Sequence, residues 1–340
     1  MRAGVCDVLG RRLHDLRISV IDMCNLRCTY CMPAGAYHER FAFLKEEERL
    51  TLEEIARLTR LFATLGVSKA RITGGEPLLR KDLPRLIAML REIDGVGDLA
   101  LTTNGVLLAQ HAEALKEAGL ERVTVSLDTL DERVFDAMSG RSGRYSAVLE
   151  GIAAAEAVGL APIKINAVVE RGINDHTVMD LVERFRGTGH VVRFIEFMDV
   201  GNCNHWGREQ VVASREILEM IQERYPLRAL EENYHGEVAS RYEFCDGAGE
   251  IGFISSVTEP FCGSCTRARL STDGRLLTCL FAGSGIDLRG PMRDGATDDD
   301  LLGLIAGVWG NRTDRYSELR ATLAPSDGSK RKIEMYQIGG

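Results

Sequence analysis

The chain has 340 residues, 45% hydrophobic and 27% charged, with a formal net charge of −8 and nine cysteines. This length fits about two domains, or one α/β barrel with an appendage, and can bury a core without disulfide staples. The sequence has no apolar run of about 18 residues and no apolar leader, so neither a membrane span nor a signal peptide is expected. The acidic balance argues against general nucleic-acid affinity. A cytoplasmic α/β protein whose thiols do chemistry is expected.

In chain order, strand-like runs fall at Leu16–Asp22, Lys69–Thr73, Asp98–Thr102, Arg122–Leu127, Ile163–Val169 and Val191–Phe197. Between them the helical patterns are Thr51–Leu65, Leu83–Ile93, Ala109–Ala118, Ser146–Val158 and Val178–Phe185. Such alternation predicts a parallel sheet with right-handed crossovers. Periodicity leaves a doubly wound sheet and an incomplete barrel both open. In either, ligands belong at the carboxyl ends of the strands. After Gly201 the rhythm breaks. Residues Arg215–Arg224 read as one more helix, Tyr225–Phe281 as β hairpins, and Pro291–Ala324 as helical, before a tail ending in Gly339-Gly340. Two regions are expected, 1–215 and 216–340.

Two cysteine triplets stand out. Cys24, Cys28 and Cys31 follow the first strand in a Cys-x3-Cys-x2-Cys spacing; Cys262 and Cys265 join Cys279 after thirteen intervening residues. A structural zinc site closes with four ligands. A four-iron cubane held by three thiolates keeps one iron free for an outside molecule. A zinc knuckle or reduced bystander thiols remain the alternative for the first triplet. For the second, the alternative is a zinc site borrowing Cys245 or a distant His. Cys6, Cys203 and Cys245 read as ordinary thiols.

A second pattern lies within the strands. Arg17, Lys69 with Arg71, Lys164 with Asn166, Arg193, and Arg267 with Arg269 fall at one parity, and alternate residues share a face. A parallel sheet is covered on both faces, and burying an unpaired cation costs several kcal/mol. Glu76, Asp128 and Glu196 are the internal acids available to neutralise some of them. The surplus fits a polyphosphate clamped by guanidiniums. No Gly-x4-Gly-Lys-Ser/Thr loop occurs, which excludes a P-loop nucleotidase.

The first triplet, with Tyr30 before its third cysteine, and Thr73-Gly-Gly-Glu76-Pro77 after the second strand resemble the radical S-adenosylmethionine (SAM) superfamily. Within it, the whole chain from Leu16 to the closing glycines resembles the GTP 3′,8-cyclase family of molybdenum-cofactor biosynthesis. The carrying segments are Leu16-Arg-Ile-Ser19, Cys24–Pro33, Arg71–Arg80, Thr102-Thr-Asn-Gly105, Lys164-Ile-Asn166, Arg193–Met198 and Phe261–Leu270. Thr266 departs from the Asn frequent there.

That resemblance implies an incomplete (β/α)6 barrel whose C-terminal region carries a second cluster. It implies two [4Fe-4S] clusters, on Cys24, Cys28 and Cys31 and on Cys262, Cys265 and Cys279. SAM contacts are expected from Tyr30, Gly75, Glu76, Ser126 and Met198. For GTP, the resemblance implies contacts from Arg17, Lys69, Arg71, Thr102, Lys164, Arg193, Arg267 and Arg269, with Arg17, Arg267 and Arg269 also catalytic. The activity implied forms 3′,8-cyclo-7,8-dihydro-GTP, after a 5′-deoxyadenosyl radical removes the ribose 3′ hydrogen. An external flavodoxin-like reductant, a downstream cyclic pyranopterin monophosphate synthase and a homodimer are further expectations, as is a Gly339-Gly340 tail reaching the site near Arg17. The alternative function is a radical SAM peptide- or cofactor-modifying enzyme with an auxiliary cluster.

Overall fold

A computed structural model describes residues 4–320 and 331–339. Twelve strands form one sheet: β1 Asp15–Ser19, β2 Lys69–Thr73, β3 Asp98–Thr103, β4 Arg122–Ser126, β5 Lys164–Val169, β6 Val191–Glu196, β7 Leu227–Leu230, β8 Ser240–Phe244, β9 Glu250–Ile254, β10 Arg267–Leu270, β11 Arg275–Leu277 and β12 Ile286–Asp287. Their order is β12-β11-β10-β1-β2-β3-β4-β5-β6-β9-β8-β7. The six expected strands are present, shifted by at most a few residues at their ends. The curved sheet does not close: among the described strands, β9 and β10 do not pair with each other.

The region expected to hold only hairpins is more than that. β7, β8 and β9 form an antiparallel meander, but β9 also pairs with β6 in parallel and β10 pairs with β1 in parallel. The parallel set therefore has eight strands. The two added strands escape the pattern because no helix separates them, and helix-strand alternation was the signal being read.

The helices α1 Leu52–Thr64, α2 Leu83–Arg91, α3 Leu108–Glu117, α4 Glu132–Ser139, α5 Tyr145–Ala157, α6 Val178–Phe185 and α7 Ser214–Gln222 accompany these strands. Thr51 shows why α1 starts where it does: its hydroxyl accepts from the Glu54 amide at 3.1 Å while Glu54 accepts from the Thr51 amide at 2.8 Å. The face made of Leu52, Ile55, Leu58, Leu61 and Phe62 is buried. α4 was not expected; it is eight residues long, capped by Asp131 and ended by Gly140 at φ +63°. Beyond β12 lie α8 Arg289–Arg293, α9 Asp298–Gly310, α10 Tyr316–Leu319 and α11 Met335–Ile338. Residues 321–324 of the expected helical stretch lie outside the described residues. No described helix is long and apolar enough to cross a membrane.

The sheet's two faces divide the labour. Leu16, Ile18, Ala70, Ile72, Leu99, Leu101, Val123, Val125, Ile165 and Phe194 point toward the helices and are at most 1% exposed. The core therefore lies between sheet and helices. The other parity, which carries the cations, lines the inside of the barrel.

Candidate active site

A cavity of about 330 Å³ occupies the barrel interior, and register explains its wall. Arg269, Arg17 and Arg71 are neighbours across β10, β1 and β2. Two residues earlier, Arg267, Asp15, Lys69 and Asp98 form a parallel row. That row alternates in sign and neutralises itself: Lys69 Nζ stands 3.3 Å from Asp98 and 4.0 Å from Asp15. The Arg269–Arg17–Arg71 row has no carboxylate between its members. Arg71 donates to the hydroxyls of Thr102 and Thr124, each at 3.0 Å, and Arg193 to Asn166 at 2.9 Å. Arg17 and Lys164 make no hydrogen bond or ion pair among the described residues. Opposite Arg193, Gly252 leaves room for its stem, since a Cβ there would sit 3.1 Å from Arg193 Cγ.

Burial and then mutual repulsion lower the proton affinity of Arg17, Lys164, Arg193 and Arg269, whereas at Arg267 the neighbouring Cys265 and Asp15 outweigh burial and raise it. Burial with Arg269, Arg267 and Arg71 nearby holds Arg17 well below the usual guanidinium range. Burial, with Arg193 next, brings Lys164 down to about 7. Burial also lowers Arg193 to about 9 and Arg269 to about 10. The three internal acids do not answer these charges. Asp128 accepts from Tyr30 at 2.7 Å and from the Val168 amide at 2.9 Å. Glu196 accepts from the amides of Ser214, Val257 and Thr258, and Glu76 from Thr103, Asn104 and Leu78. The compensating acids are Asp15 and Asp98. Asp15 precedes Arg17 at the same parity, a signal the sequence carried.

The first thiol triplet sits in the loop after β1. Arg27 gathers that loop by donating to the carbonyls of Cys24, Leu26 and Tyr37 at 2.7–2.8 Å. Gly74 and Gly75 let the β2 end lie against it, because a Cβ on Gly75 would fall 2.2 Å from the Met23 carbonyl oxygen. Their amide neighbours complete the seam: Gly75 donates to Ile21 at 2.7 Å and Glu76 to Met23 at 2.8 Å. Cys24 Sγ accepts from the Leu26 amide at 3.4 Å and from Asn104 at 3.7 Å. Burial pushes the Cys24 thiol up to about 11, and those of Cys28 and Cys31 higher still.

The second triplet faces it across the cavity. Cys279 Sγ accepts from the Phe281 amide at 3.5 Å, and burial raises its thiol to about 11. Cys265 behaves oppositely. Burial pushes its thiol up, but the guanidiniums of Arg267 and Arg312 outweigh this and bring it down to about 6. All nine cysteines are free thiols, and the six of the triplets line the cavity whereas Cys6, Cys203 and Cys245 do not.

These donors fit four-iron clusters. They are soft thiols, and N–H groups already aim at three of the sulfurs. Among the described residues no three His, Cys, Asp or Glu side chains converge on a point one metal ion could occupy. A cubane instead takes one thiolate per iron.

Family models match most of the chain: the Radical SAM superfamily over residues 18–185 and Molybdenum Cofactor Synthesis C over 190–318. A GTP 3′,8-cyclase of Xanthomonas axonopodis pv. citri is 54% identical over 340 residues, all of this chain and all of the relative. The chain belongs to the GTP 3′,8-cyclase family. A Staphylococcus epidermidis member is 45% identical, again over the full length of both. The crystal structure of Streptococcus suis SuiB bound to S-adenosylmethionine shares the fold, with TM-score 0.58 and 14% identity over 93% of this chain and 67% of that one. GTP 3′,8-cyclases use SAM and two [4Fe-4S] clusters, and both cysteine motifs are present.

Of the residues singled out from the sequence, Arg17, Tyr30, Lys69, Arg71, Gly75, Thr102, Ser126, Lys164, Arg193, Met198, Arg267, Arg269 and the six cysteines line this one cavity. Glu76 does not: it is fully buried behind the wall, its carboxylate spent on protein donors, and burial raises it to about 7. The tail does reach inward. Gly339 packs on Thr73, and its carbonyl accepts from Arg269. Gly340 lies outside the described residues. Sequence reading missed Tyr234, which accepts from Lys69 at 2.7 Å, and Arg312. Tyr234 comes from the β7–β8 loop and Arg312 from beyond α9, neither within a recognisable motif.

Proposed function

We propose that the chain converts GTP to (8S)-3′,8-cyclo-7,8-dihydroguanosine 5′-triphosphate, an early step of molybdenum-cofactor synthesis. The observation that carries this reading is one cavity lined by two separate thiol triplets and seven strand-borne cations. A polyphosphate nucleoside bridging two redox centres accounts for both.

When bound, SAM and the two clusters would supply radical hydrogen abstraction at the ribose 3′ position and one-electron reduction of the base. The chain supplies positions. Cys24, Cys28 and Cys31 hold one cluster and Cys262, Cys265 and Cys279 the other. Tyr30, Gly75, Ser126 and Met198 surround SAM, and Glu76 braces that wall from behind. Arg71, Lys164, Arg193 and Lys69, with Thr102, hold triphosphate and ribose. Arg17 and Arg269 are partners across β1 and β10, Arg267 reaches Cys265 Sγ at 3.2 Å, and the three serve the reacting ribose and base. Holding the reacting atoms at about 3–3.5 Å makes the transfer effectively intramolecular. The cavity wall excludes bulk water from the intermediates.

Residues 1–215 form the radical-generating part and 216–340 the part that carries the second cluster. A separate flavodoxin-like protein supplies electrons in the cytoplasm, a cyclic pyranopterin monophosphate synthase takes the product, and the enzyme works as a homodimer. Anaerobic incubation with SAM, dithionite and single nucleotides tests the core of this reading. Deoxyadenosine and a cyclised nucleotide are expected with GTP and not with ATP or CTP. Deoxyadenosine formation at the same rate without GTP would overturn it.

A further inference from the structure

Three distant parts of the chain meet behind the second thiol triplet: the segment before β1, the Cys262–Cys265 turn and the residues after α9. Arg312 is at their centre and is 4% exposed. Its Nη1 donates to the Cys265 carbonyl at 2.7 Å and its Nη2 to Cys265 Sγ at 3.1 Å. Asp7 stands 3.6 Å from Nη1 and Asp314 3.4 Å from Nε, and the guanidinium lies 4.6 Å from the Trp309 ring centroid. Arg11 holds this frame. It is 2% exposed, pairs with Asp7 at 2.5 Å, and donates to the carbonyls of Cys262 and Asp314 at 2.8 and 2.7 Å. Trp309 closes the frame by donating to the Arg11 carbonyl at 3.1 Å. The Arg312 fork is hydrogen-bonded to Cys265 along its Nη side and lies with one face on Trp309, while its Nε is buried beside Asp314 without a hydrogen bond.

We infer that Arg312 is a positioning residue that fixes Cys265 as a ligand and sets the reduction potential of the cluster at the second triplet. This rests on the reading of Cys262, Cys265 and Cys279 as cluster ligands. One-electron reduction puts negative charge on a cluster and its sulfurs, and N–H donors aimed at a ligand sulfur favour that state. Arg267 also reaches Cys265 Sγ, at 3.2 Å; both guanidiniums border the cavity, and each has one buried nitrogen without a hydrogen-bond partner, Nη1 in Arg267 and Nε in Arg312. Arg312 differs in having the carboxylates of Asp7 and Asp314 within 4 Å, so protein acids rather than substrate match its charge while Nη2 stays on the sulfur. The first triplet has no guanidinium on a sulfur among the described residues; Cys24 accepts from an amide and from Asn104. A change at position 312 therefore acts on one cluster and spares the other.

The test compares R312Q and R312K with wild type, all purified anaerobically with their clusters. Iron and sulfide are counted first, and each cluster is then followed by EPR during a redox titration. In R312Q the second couple is expected to move to lower potential. The shift should change its reduced-to-oxidised ratio about tenfold at fixed potential, which is ~59 mV for one electron. R312K should move it less, and the first couple should stay in place in both. A second cluster that remains bound in R312Q with its couple unmoved would overturn the inference. So would loss of GTP affinity with an unmoved couple, which would make Arg312 a substrate contact. If R312Q does not fold or does not hold its iron, R312K decides by the same criterion. Wild-type protein carrying iron for only one cluster would instead refute the ligand assignment, and the inference with it.

Discussion

Arg17→Met separates the cost of the cationic wall from its use. Arg17 lies in register between Arg269 and Arg71, with no hydrogen bond or ion pair of its own among the described residues. Adjacent strands are ~4.8 Å apart, and guanidinium heads splayed outward by a further ~1–2 Å would stand roughly 6–7 Å from one another. At an effective dielectric constant of ~20, each such like-charge pair costs about 2–3 kcal/mol, which water in the cavity reduces to about 1–3 kcal/mol for both neighbours together. Methionine keeps most of the stem and removes the charge. With an unfolding entropy of ~2.1 cal/mol/K per residue, that gain raises the melting midpoint of the substrate-free enzyme by about 1–4 °C. Wild type at a GTP concentration of ~100 Kd gains about 2.7 kcal/mol, and the variant should gain less than half of this and turn over poorly. Anaerobic thermal melts with and without GTP read both quantities. A variant that melts lower than wild type without GTP, or that keeps the full GTP-induced rise, would refute the view that substrate anions are what this row is built to meet.

Lys164, at about 7, is lowered by burial and by Arg193. Its depressed value makes folding stability rise with pH between about 7 and the free-lysine value, since only the unfolded chain holds the proton there. Bound triphosphate restores the charge, so the GTP KM of wild type should climb above pH 7, while K164R, whose guanidinium holds its proton to higher pH than the lysine ammonium, should show a flatter profile between pH 7 and 9; parallel profiles would count against the assignment. G252A pushes a Cβ to 3.1 Å from the Arg193 stem, and should raise the GTP KM several-fold while the melting midpoint stays within about 2 °C. C279A should lose about half the bound iron and keep the spectroscopic signal of the first cluster, as measured by iron analysis and EPR. E76Q places an amide N–H against one of the donors now satisfied by the Glu76 carboxylate. A loss of about 1–3 kcal/mol in denaturant unfolding is expected, together with weaker SAM binding.

The first six strands were legible because each is short, apolar on one parity and followed by a helix-period run. The inward cations were legible for a related reason: Lys69 with Arg71, and Arg267 with Arg269, share a parity that no solvent-facing explanation suits in a sheet covered on both sides. What period and parity cannot show is register. That Arg17 falls beside Arg71 and Arg269, while Lys69 falls between Asp15 and Asp98, depends on strand alignment alone. The same two-residue spacing therefore yields one self-neutralised row and one cationic row. The resemblance implies that Glu76 faces SAM at the cavity. Its side chain turns the other way, because the amides of Leu78 and Asn104 and the Thr103 hydroxyl converge behind the wall. Arg312 carried no local signal, being recognisable only once α9 brings position 312 against Cys265.

The placement of the second triplet follows from topology. β9 is the last parallel strand beyond β6, and β10 is the first beyond β1, so they border opposite sides of the barrel's opening. Residues 255–266 join them without a strand or an α-helix. Twelve residues reach at most ~40 Å when extended, too little to run around the outside of a helix-covered barrel and enough to cross its gap. The crossing is pinned at its start by Glu196, 1% exposed at the end of β6, whose carboxylate accepts from Val257 and Thr258 at 2.8 and 2.9 Å and from Ser214 at 2.9 Å. It is held at its far end by Arg11 and Arg312 on the carbonyls of Cys262 and Cys265. A closed eight-stranded barrel would pair its edges and fill its interior with side chains. Leaving the edges apart turns the closing loop into a wall of the cavity, with its thiols facing those that follow β1.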